Sequence, residues 1–133
     1  MVILIVEDEV LIGLGLHMVL SLAGYHVRGP ALSVASALAI AAEEAPDIAL
    51  VDVNLVGDDE GLEVARTLCD QYGTTVIFLT AQPERARRGK DIALGVITKP
   101  YDPQTPVRAV EFAAEARAGR QSGPVPPGLE LFT

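Results

Sequence analysis

Short, uninterrupted apolar runs alternate along the chain with longer segments in which apolar residues recur at helical spacing. A short apolar run bounded by polar residues is typical of a strand that is buried on both faces of a parallel sheet. We predict five such strands, at residues 2–6, 25–30, 48–51, 75–79 and 93–98. A helix-like segment follows each strand. This succession of βα units favours an α/β fold with a doubly wound, five-stranded parallel sheet in the strand order 2-1-3-4-5.

Residues with strong positional preferences mark the ends of the predicted helices. Gly24 is typical of a helix C-terminus. We expect Asp102 or Thr105 to cap the last helix, because prolines belong near its first turn. The predicted domain covers residues 1–119. The Pro- and Gly-rich residues 120–133 are expected to form a flexible C-terminal tail that adds no second domain.

Composition limits the compartment and the kind of partner. Half of the 133 residues are apolar, which indicates a globular chain, and the single cysteine, Cys69, excludes a disulfide framework. The chain has no signal-peptide pattern and no unbroken apolar run that could cross a bilayer, so we expect a soluble, cytoplasmic protein without membrane contacts. The net charge of −8 is concentrated in residues 1–65. A negative protein does not attract phosphate backbones, so nucleic-acid binding is not expected.

Charged and polar residues follow four of the five predicted strands. Glu7 and Asp8 follow the first strand, Asp52 the third, Thr80 the fourth and Lys99 the fifth. Because ligands bind at the carboxyl ends of the strands in open α/β sheets, we expect these side chains to converge. Clustered carboxylates favour Mg²⁺, and a carboxylate beside that ion can attack phosphorus to form an aspartyl phosphate. Taken singly, Lys99 also fits a solvated lysine, and Glu7 and Asp8 also fit a helix N-terminus.

Four short motifs carry a resemblance to a known family. They are Val-Glu-Asp-Glu after the first strand, Val-Asp-Val-Asn in the third, Leu-Thr-Ala in the fourth and Thr-Lys-Pro after the fifth. In this order and spacing the chain resembles, over about residues 2–117, the receiver domain of two-component response regulators. The resemblance implies a flavodoxin-like (βα)5 fold and a bacterial signalling role.

The same resemblance implies how a metal ion and a phosphoryl group are held. Asp52 is the implied phosphoacceptor and Asp8 a direct Mg²⁺ ligand. Glu7 is implied to act on the metal through water, and Asn54 through its backbone carbonyl.

Thr80 is the implied switch hydroxyl, and Lys99 is the cation that contacts the phosphoryl oxygens.

The resemblance also implies the partners. The implied donor is a sensor histidine kinase or a histidine phosphotransfer protein, and the output passes through protein–protein contacts. Whether the chain regulates a target or is a phosphorelay intermediate or phosphate sink stays open. It is not expected to be an enzyme beyond assisting its own Mg²⁺-dependent phosphorylation and dephosphorylation.

Two features depart from the pattern of the family, and one further residue lies at a position with a tuning role in it. Val96 occupies the position of the usual aromatic switch residue, and Tyr101 is a candidate substitute. The loop at residues 54–61 lacks the usual proline and looks one residue longer. Gln82 lies where family members tune hydrolysis of the phosphoaspartate.

The first helix carries a second apolar stripe on the side opposite its core-facing one. The stripe consists of Leu11, Leu14, Met18 and Leu22. An exposed apolar patch implies a partner, here a kinase or a second copy of the chain, whereas burial under the C-terminal tail is the alternative. A homodimer through the face formed by the fourth and fifth helices is also open.

Two other functional classes fit the residues less well. An aspartate-nucleophile phosphatase resembles Asp-x-Asp at the nucleophile, and Asp52-Val53-Asn54 lacks the second acid. A flavin or nucleotide carrier needs a phosphate-cradling loop after the first strand, where Glu7-Asp8-Glu9 has the wrong charge.

Overall fold

A single six-stranded sheet forms the centre of the protein. The structure, a computed structural model, describes residues 1–55, 60–120 and 123–132. The strands are β1 (Val2–Val6), β2 (His26–Ala31), β3 (Ile48–Asp52), β4 (Thr75–Thr80), β5 (Ala93–Thr98) and β6 (Leu129–Leu131). They lie in the order β2-β1-β3-β4-β5-β6, and the first five run parallel. The predicted α/β fold class and the predicted order of the parallel strands are confirmed.

Helices cover both faces of the sheet. They are α1 (Val10–Leu22), α2 (Val34–Glu43), α3 (Glu60–Tyr72), α4 (Pro83–Ala86) with a 3₁₀ turn (Arg87–Gly89), and α5 (Thr105–Arg117). Side chains of α1 and α5 belong to one core cluster, and those of α2, α3 and α4 belong to the other. Within the three described ranges, no helix combines the length and apolar character that crossing a bilayer requires.

The strand β3 runs through the middle of the core. All five of its residues are buried. Ile48 and Leu50 point towards α1 and α5, whereas Ala49 and Val51 point towards the opposite helices. Because both faces are covered, the strand needs an unbroken apolar sequence, and the carboxylate of Asp52 marks the point where it leaves the core.

The N-terminus of α5 differs from the prediction. Its N-cap is Gln104, so the prediction of Asp102 or Thr105 as the cap is wrong. The Asp102 carboxylate accepts a hydrogen bond from the N–H of Gln104 at 2.8 Å, and its carbonyl accepts one from the N–H of Thr105 at 2.9 Å. Asp102 therefore closes a turn ahead of the helix, and Thr105 is already the first helical residue.

Residues 129–131, within the predicted flexible tail, form the strand β6. This strand runs antiparallel to β5, with Leu129 opposite Ile97. The N–H of Phe132 donates to the carbonyl of Leu94 at 2.9 Å. The prediction of a flexible tail is therefore wrong for this segment. The physical reason is that the edge of β5 would otherwise present unpaired backbone groups.

The second apolar stripe of α1 is exposed. Leu11 and Leu22 are 86% and 82% exposed, and Leu14 and Met18 are 52% and 62% exposed. The described part of the C-terminal segment pairs with β5 and leaves this stripe uncovered. For the described residues, the alternative that the tail buries the stripe is therefore wrong.

Candidate functional site

The carboxyl ends of four neighbouring strands build one site. β3 lies between β1 and β4, and β5 lies next to β4. The loops and strand ends at this edge carry all six residues that the sequence singles out, namely Glu7, Asp8, Asp52, Asn54, Thr80 and Lys99. The parallel strands thus bring residues that are distant in the sequence to a single edge, as predicted.

Lys99 joins two buried carboxylates. Its Nζ lies 2.7 Å from Oε1 of Glu7 and 3.2 Å from Oδ2 of Asp52. Glu7 is 0% exposed and Asp52 is 4% exposed. On the solvent side, Oε2 of Glu9 lies 3.6 Å from the same Nζ; the sequence did not indicate this contact. Removing the lysine would leave uncompensated buried charge, so Lys99 is a member of the site and not a solvated surface residue.

The site holds more negative than positive charge. Burial raises the pKa of Glu7 to about 7, and a hydrogen bond with Asp52 acts in the same direction, whereas Lys99 opposes both. Burial alone would lower the pKa of Lys99, but the hydrogen bond to Glu7 and the charges of Glu7 and Asp52 outweigh it and raise the pKa. Lys99 is therefore a cation at neutral pH. The carboxylates remain only partly neutralised, which favours a second cation.

Three carboxylates form a possible metal site. One oxygen each from Glu7, Asp8 and Asp52 lies within 4.8 Å of the others. Asp8 is half-buried, whereas Glu7 and Asp52 are buried. Oxygen donors with one side open to water are what Mg²⁺ prefers, because the ion keeps several of its water ligands. The donor set and the excess of negative charge therefore fit a magnesium ion.

Asn54 and Thr80 connect the end of β3 with the end of β4. The backbone N–H of Asn54 donates to Oδ1 of Asp52 at 2.9 Å, and its Nδ2 lies 3.4 Å from Oγ1 of Thr80. The buried hydroxyl of Thr80 also accepts a hydrogen bond from the N–H of Gln82 at 2.9 Å. Oδ1 of Asn54 is buried and has no hydrogen-bond partner among the described residues. The site therefore contains a buried acceptor that no described residue of the protein satisfies.

A glycine lets α3 approach the end of β3. The N–H of Gly61 donates to the carbonyl of Val53 at 3.2 Å. A Cβ atom at Gly61 would collide with the backbone carbonyl of Asp52 and with Cα of Val53. Backbone atoms cannot move aside as a flexible side chain can, so this position requires glycine. The sequence reasoning missed this supporting residue.

A groove of about 590 Å³ opens next to Lys99. One wall is α1, with Ile12 and Gly15, and the other is the connection from β5 to α5, with Pro100 and Tyr101. Most of the lining is apolar, and the charged lysine lies at the end that faces the site. The sequence reasoning also missed this groove, because it forms only when two distant segments pack side by side.

The position of the usual aromatic switch residue, Val96, and its candidate substitute, Tyr101, both lie among the described residues. Val96 is fully buried in the core. Tyr101 is half-buried, and burial raises the pKa of its hydroxyl to about 12, so this group stays protonated near neutral pH. The predicted extra length of the loop at residues 54–61 falls on residues 56–59, which lie outside the described residues.

Comparisons with known proteins agree with this geometry. A family model described as response regulator receiver domain matches residues 3–111. The phyllosphere-induced regulator PhyR of Methylorubrum extorquens is 36% identical over 103 residues, which cover 76% of this chain and 39% of PhyR. The transcriptional regulatory protein PdtaR of Mycobacterium tuberculosis is 30% identical over 114 residues, which cover 84% of this chain and 55% of PdtaR. The chain thus spans about half the length, or less, of these curated relatives.

A solved structure shows the same likeness in three dimensions. The chemotaxis response regulator CheY4 of Vibrio cholerae superposes with a TM-score of 0.76 at 30% sequence identity. The match covers 84% of this chain and 97% of that protein.

Proposed function

Since the chain belongs to the receiver domain family of two-component response regulators, we propose that Asp52 accepts a phosphoryl group from a phosphohistidine donor in a Mg²⁺-dependent reaction. The resemblance carried by the four sequence motifs is confirmed, and phosphoacceptor signalling is the function of this family. The donor, the metal ion and the role of each residue are parts of the proposal.

The observation that carries the proposal is the way in which Asp52 is held. Lys99 donates to its Oδ2 and the backbone N–H of Asn54 donates to its Oδ1. Both oxygens are therefore held by hydrogen bonds in a buried site at the end of β3. Such a carboxylate loses little further freedom when it reacts, which is the condition for an efficient nucleophile.

In the proposed step, a carboxylate oxygen of Asp52 attacks the phosphorus atom of the donor. The new P–O bond forms as the P–N bond to the donor imidazole breaks, and the electron pair of that bond stays on the imidazole nitrogen. Lys99 is close enough to Asp52 to contact a phosphoryl oxygen and to offset its charge. The product is an aspartyl phosphate.

The carboxylates beside Asp52 are the proposed holders of the metal. Asp8 and Asp52 would bind Mg²⁺ directly, Glu7 through water, and Asn54 through its backbone carbonyl. When bound, the ion neutralises charge on the phosphoryl oxygens. The close spacing of the carboxylate oxygens and the shortage of positive charge around them support this assignment.

Thr80 is the proposed switch hydroxyl. Its Oγ1 accepts the N–H of Gln82, which is the N-cap of α4. When the hydroxyl turns to donate to a phosphoryl oxygen, this hydrogen bond changes, and α4 is the element that responds. Val96 is aliphatic and buried, so it cannot report the change by rotation of a ring. Tyr101, which lines the groove beside Lys99, is the proposed substitute.

We place the phosphohistidine donor on α1 and the adjoining groove. The groove opens beside Lys99, and Leu11 belongs both to its lining and to the exposed stripe of the helix. An apolar surface that continues into the reactive site suits a helical donor protein, because burying it adds affinity while the histidine reaches Asp52.

A phosphate-affinity gel tests the proposal directly. Wild type and Asp52→Asn are incubated with acetyl phosphate in Mg²⁺ or in EDTA. We expect a shifted band only for the wild type in Mg²⁺. The matched control is Asp91→Asn, which removes an exposed aspartate that pairs with Arg66 outside the site, and this variant should shift like the wild type.

Two results would contradict separate parts of the proposal. An equal shift for Asp52→Asn would show that another residue is phosphorylated, and an equal shift in EDTA would exclude the metal requirement.

The wild type is also mixed with a phosphorylated histidine phosphotransfer protein. A band that stays unshifted with both donors would refute the phosphoacceptor role.

A further inference from the structure

Glu9 lies where the groove beside α1 meets the site around Asp52. Its Oε2 lies 3.6 Å from Nζ of Lys99, and the residue also belongs to the lining of the groove. The side chain of Glu9 is 61% exposed, whereas Glu7 and Asp52 are buried. A carboxylate therefore faces solvent at the entrance to the site.

The usual structural roles of an acid at this position do not account for Glu9. It is the N-cap of α1, but its side chain makes no capping hydrogen bond. Lys99 already donates to Glu7 at 2.7 Å and to Asp52 at 3.2 Å. The contact from Lys99 to Glu9 is longer and partly exposed, and such pairs contribute little to stability. The charge of Glu9 is instead placed where a ligand of Lys99 has to approach.

The rest of the groove does not offset this charge. Among the described residues that line it, Glu9 and Lys99 are the charged ones. Lys99 is shared between two buried carboxylates. A small anion that enters beside α1 to reach Asp52 therefore meets the carboxylate of Glu9, and no other described residue of the lining carries a positive charge that could balance it.

We propose that Glu9 is a specificity-determining residue that disfavours small anionic phosphodonors at Asp52. This specificity rests on the proposed phosphoacceptor function. Nζ of Lys99 lies 3.6 Å from Glu9 and would contact a phosphoryl oxygen at roughly 2.8 Å, so the two anions come within about 7 Å of each other. Repulsion over this distance opposes the encounter with the donor.

Coulomb's law gives the size of the effect. For a dianionic donor, removing the charge of Glu9 should raise the second-order rate constant for labelling about fourfold at an ionic strength of about 0.03 M. Screening by salt should reduce this gain to about twofold at about 0.15 M and nearly abolish it at about 1 M. A donor with a single net negative charge should gain only about twofold at the lowest of these ionic strengths.

Labelling of the Glu9→Gln variant tests the proposal. Acetyl phosphate is a dianion at neutral pH, whereas phosphoramidate carries a single net negative charge. Initial rates with each donor are measured on phosphate-affinity gels, at saturating Mg²⁺ and at low and high ionic strength. At low ionic strength we expect Glu9→Gln to exceed the wild type about fourfold with acetyl phosphate and about twofold with phosphoramidate. The conservative variant Glu9→Asp keeps the charge and should label like the wild type.

Glu115→Gln is the matched control, because it removes the same charge at the opposite end of the sheet. Glu115 pairs with Arg120 at the C-terminal end of α5. The nearby Arg117 contacts Asp47 and Thr75, where β3 and β4 begin. Glu115→Gln should therefore label like the wild type with both donors.

Three results would overturn the proposal. One is a rate for Glu9→Gln that does not exceed that of the wild type with acetyl phosphate. The others are an equal gain with both donors and a gain that persists at high ionic strength, because a change in structure and not in charge would then be responsible. A wild type that neither donor labels would overturn the phosphoacceptor function together with this specificity. A labelled wild type with an unresponsive variant would overturn the specificity alone.

Discussion

The charge of Glu7 should make the free energy of unfolding depend on pH, and replacing Glu7 by glutamine should remove this dependence. The side chain is fully buried, and its carboxylate contacts Lys99 beside Asp52. Replacing it by glutamine keeps the shape and most of the hydrogen-bonding capacity, because an amide can accept from Lys99 and donate to Asp52. Only the titratable charge is lost.

The size of the effect follows from proton linkage. The pKa of Glu7 rises from an ordinary value of 4.5 to about 7 in the folded protein. Between these pH values the folded state binds more protons than the unfolded state, so raising the pH destabilises the fold. At about 1.4 kcal/mol per pH unit, the loss over this interval is about 3 kcal/mol. The contribution is fully present below the unfolded pKa and is lost as the pH rises through 7.

Urea denaturation in EDTA measures this contribution. From pH 5.5 to pH 8, the free energy of unfolding of Glu7→Gln should rise by about 2 kcal/mol relative to the wild type. Comparing two proteins at each pH removes the contributions of the other carboxylates, which titrate in both. Glu63→Gln, an exposed acid on α3, is the control and should follow the wild type.

A constant difference between Glu7→Gln and the wild type at both pH values would refute the reasoning, because it would show that the Glu7 pKa is not raised. Magnesium supplies a further check. A cation that binds the carboxylates favours their charged forms, so Mg²⁺ at pH 8 should stabilise the wild type more than the variant. The free energy of unfolding of the wild type should therefore rise relative to that of the variant when Mg²⁺ is added.

Two further predictions concern the support of the site and its docking surface. Gly61→Ala should lower the free energy of unfolding by about 3 kcal/mol, because its Cβ meets the carbonyl of Asp52. Gly15→Ala has open space around its Cβ and should raise the free energy of unfolding by up to about 1 kcal/mol. Urea denaturation measures both changes. The double variant Leu14→Asp/Met18→Asp should slow phosphotransfer from a phosphohistidine protein at least tenfold. Labelling by acetyl phosphate should stay unchanged. An equal loss with both donors would argue against a docking role for α1.

Much of the fold could be predicted because burial on both faces constrains a strand strongly. In β3 every side chain must be apolar until the chain reaches the sheet edge, so the position of Asp52 is visible in the sequence. The same reasoning places Lys99 after β5. Once the strands are known to be parallel, their carboxyl ends share an edge, and the convergence of the site residues follows from topology.

The features that the sequence did not reveal depend on packing between distant segments. The strand β6 is too short to show a period of two, and its partner Arg87 lies far away in the sequence. The groove beside α1 exists only once the connection after Lys99 lies next to that helix. The raised pKa of Glu7 likewise depends on how completely the fold buries it. None of these can be deduced from local composition.

The contacts also show how a receiver without the usual aromatic residue connects its site to its surface. Asn54 lies between Asp52 and Thr80, and Thr80 holds the N-cap of α4. Arg87 directly follows α4 and holds Glu130 of β6. In the proposed switch, a ring that rotates on β5 is therefore unnecessary. Gln82, just before α4, contacts the hydroxyl at the site, and Arg87, just after α4, contacts the strand that covers β5. A change at Thr80 would reach the molecular surface through backbone and ion-pair contacts.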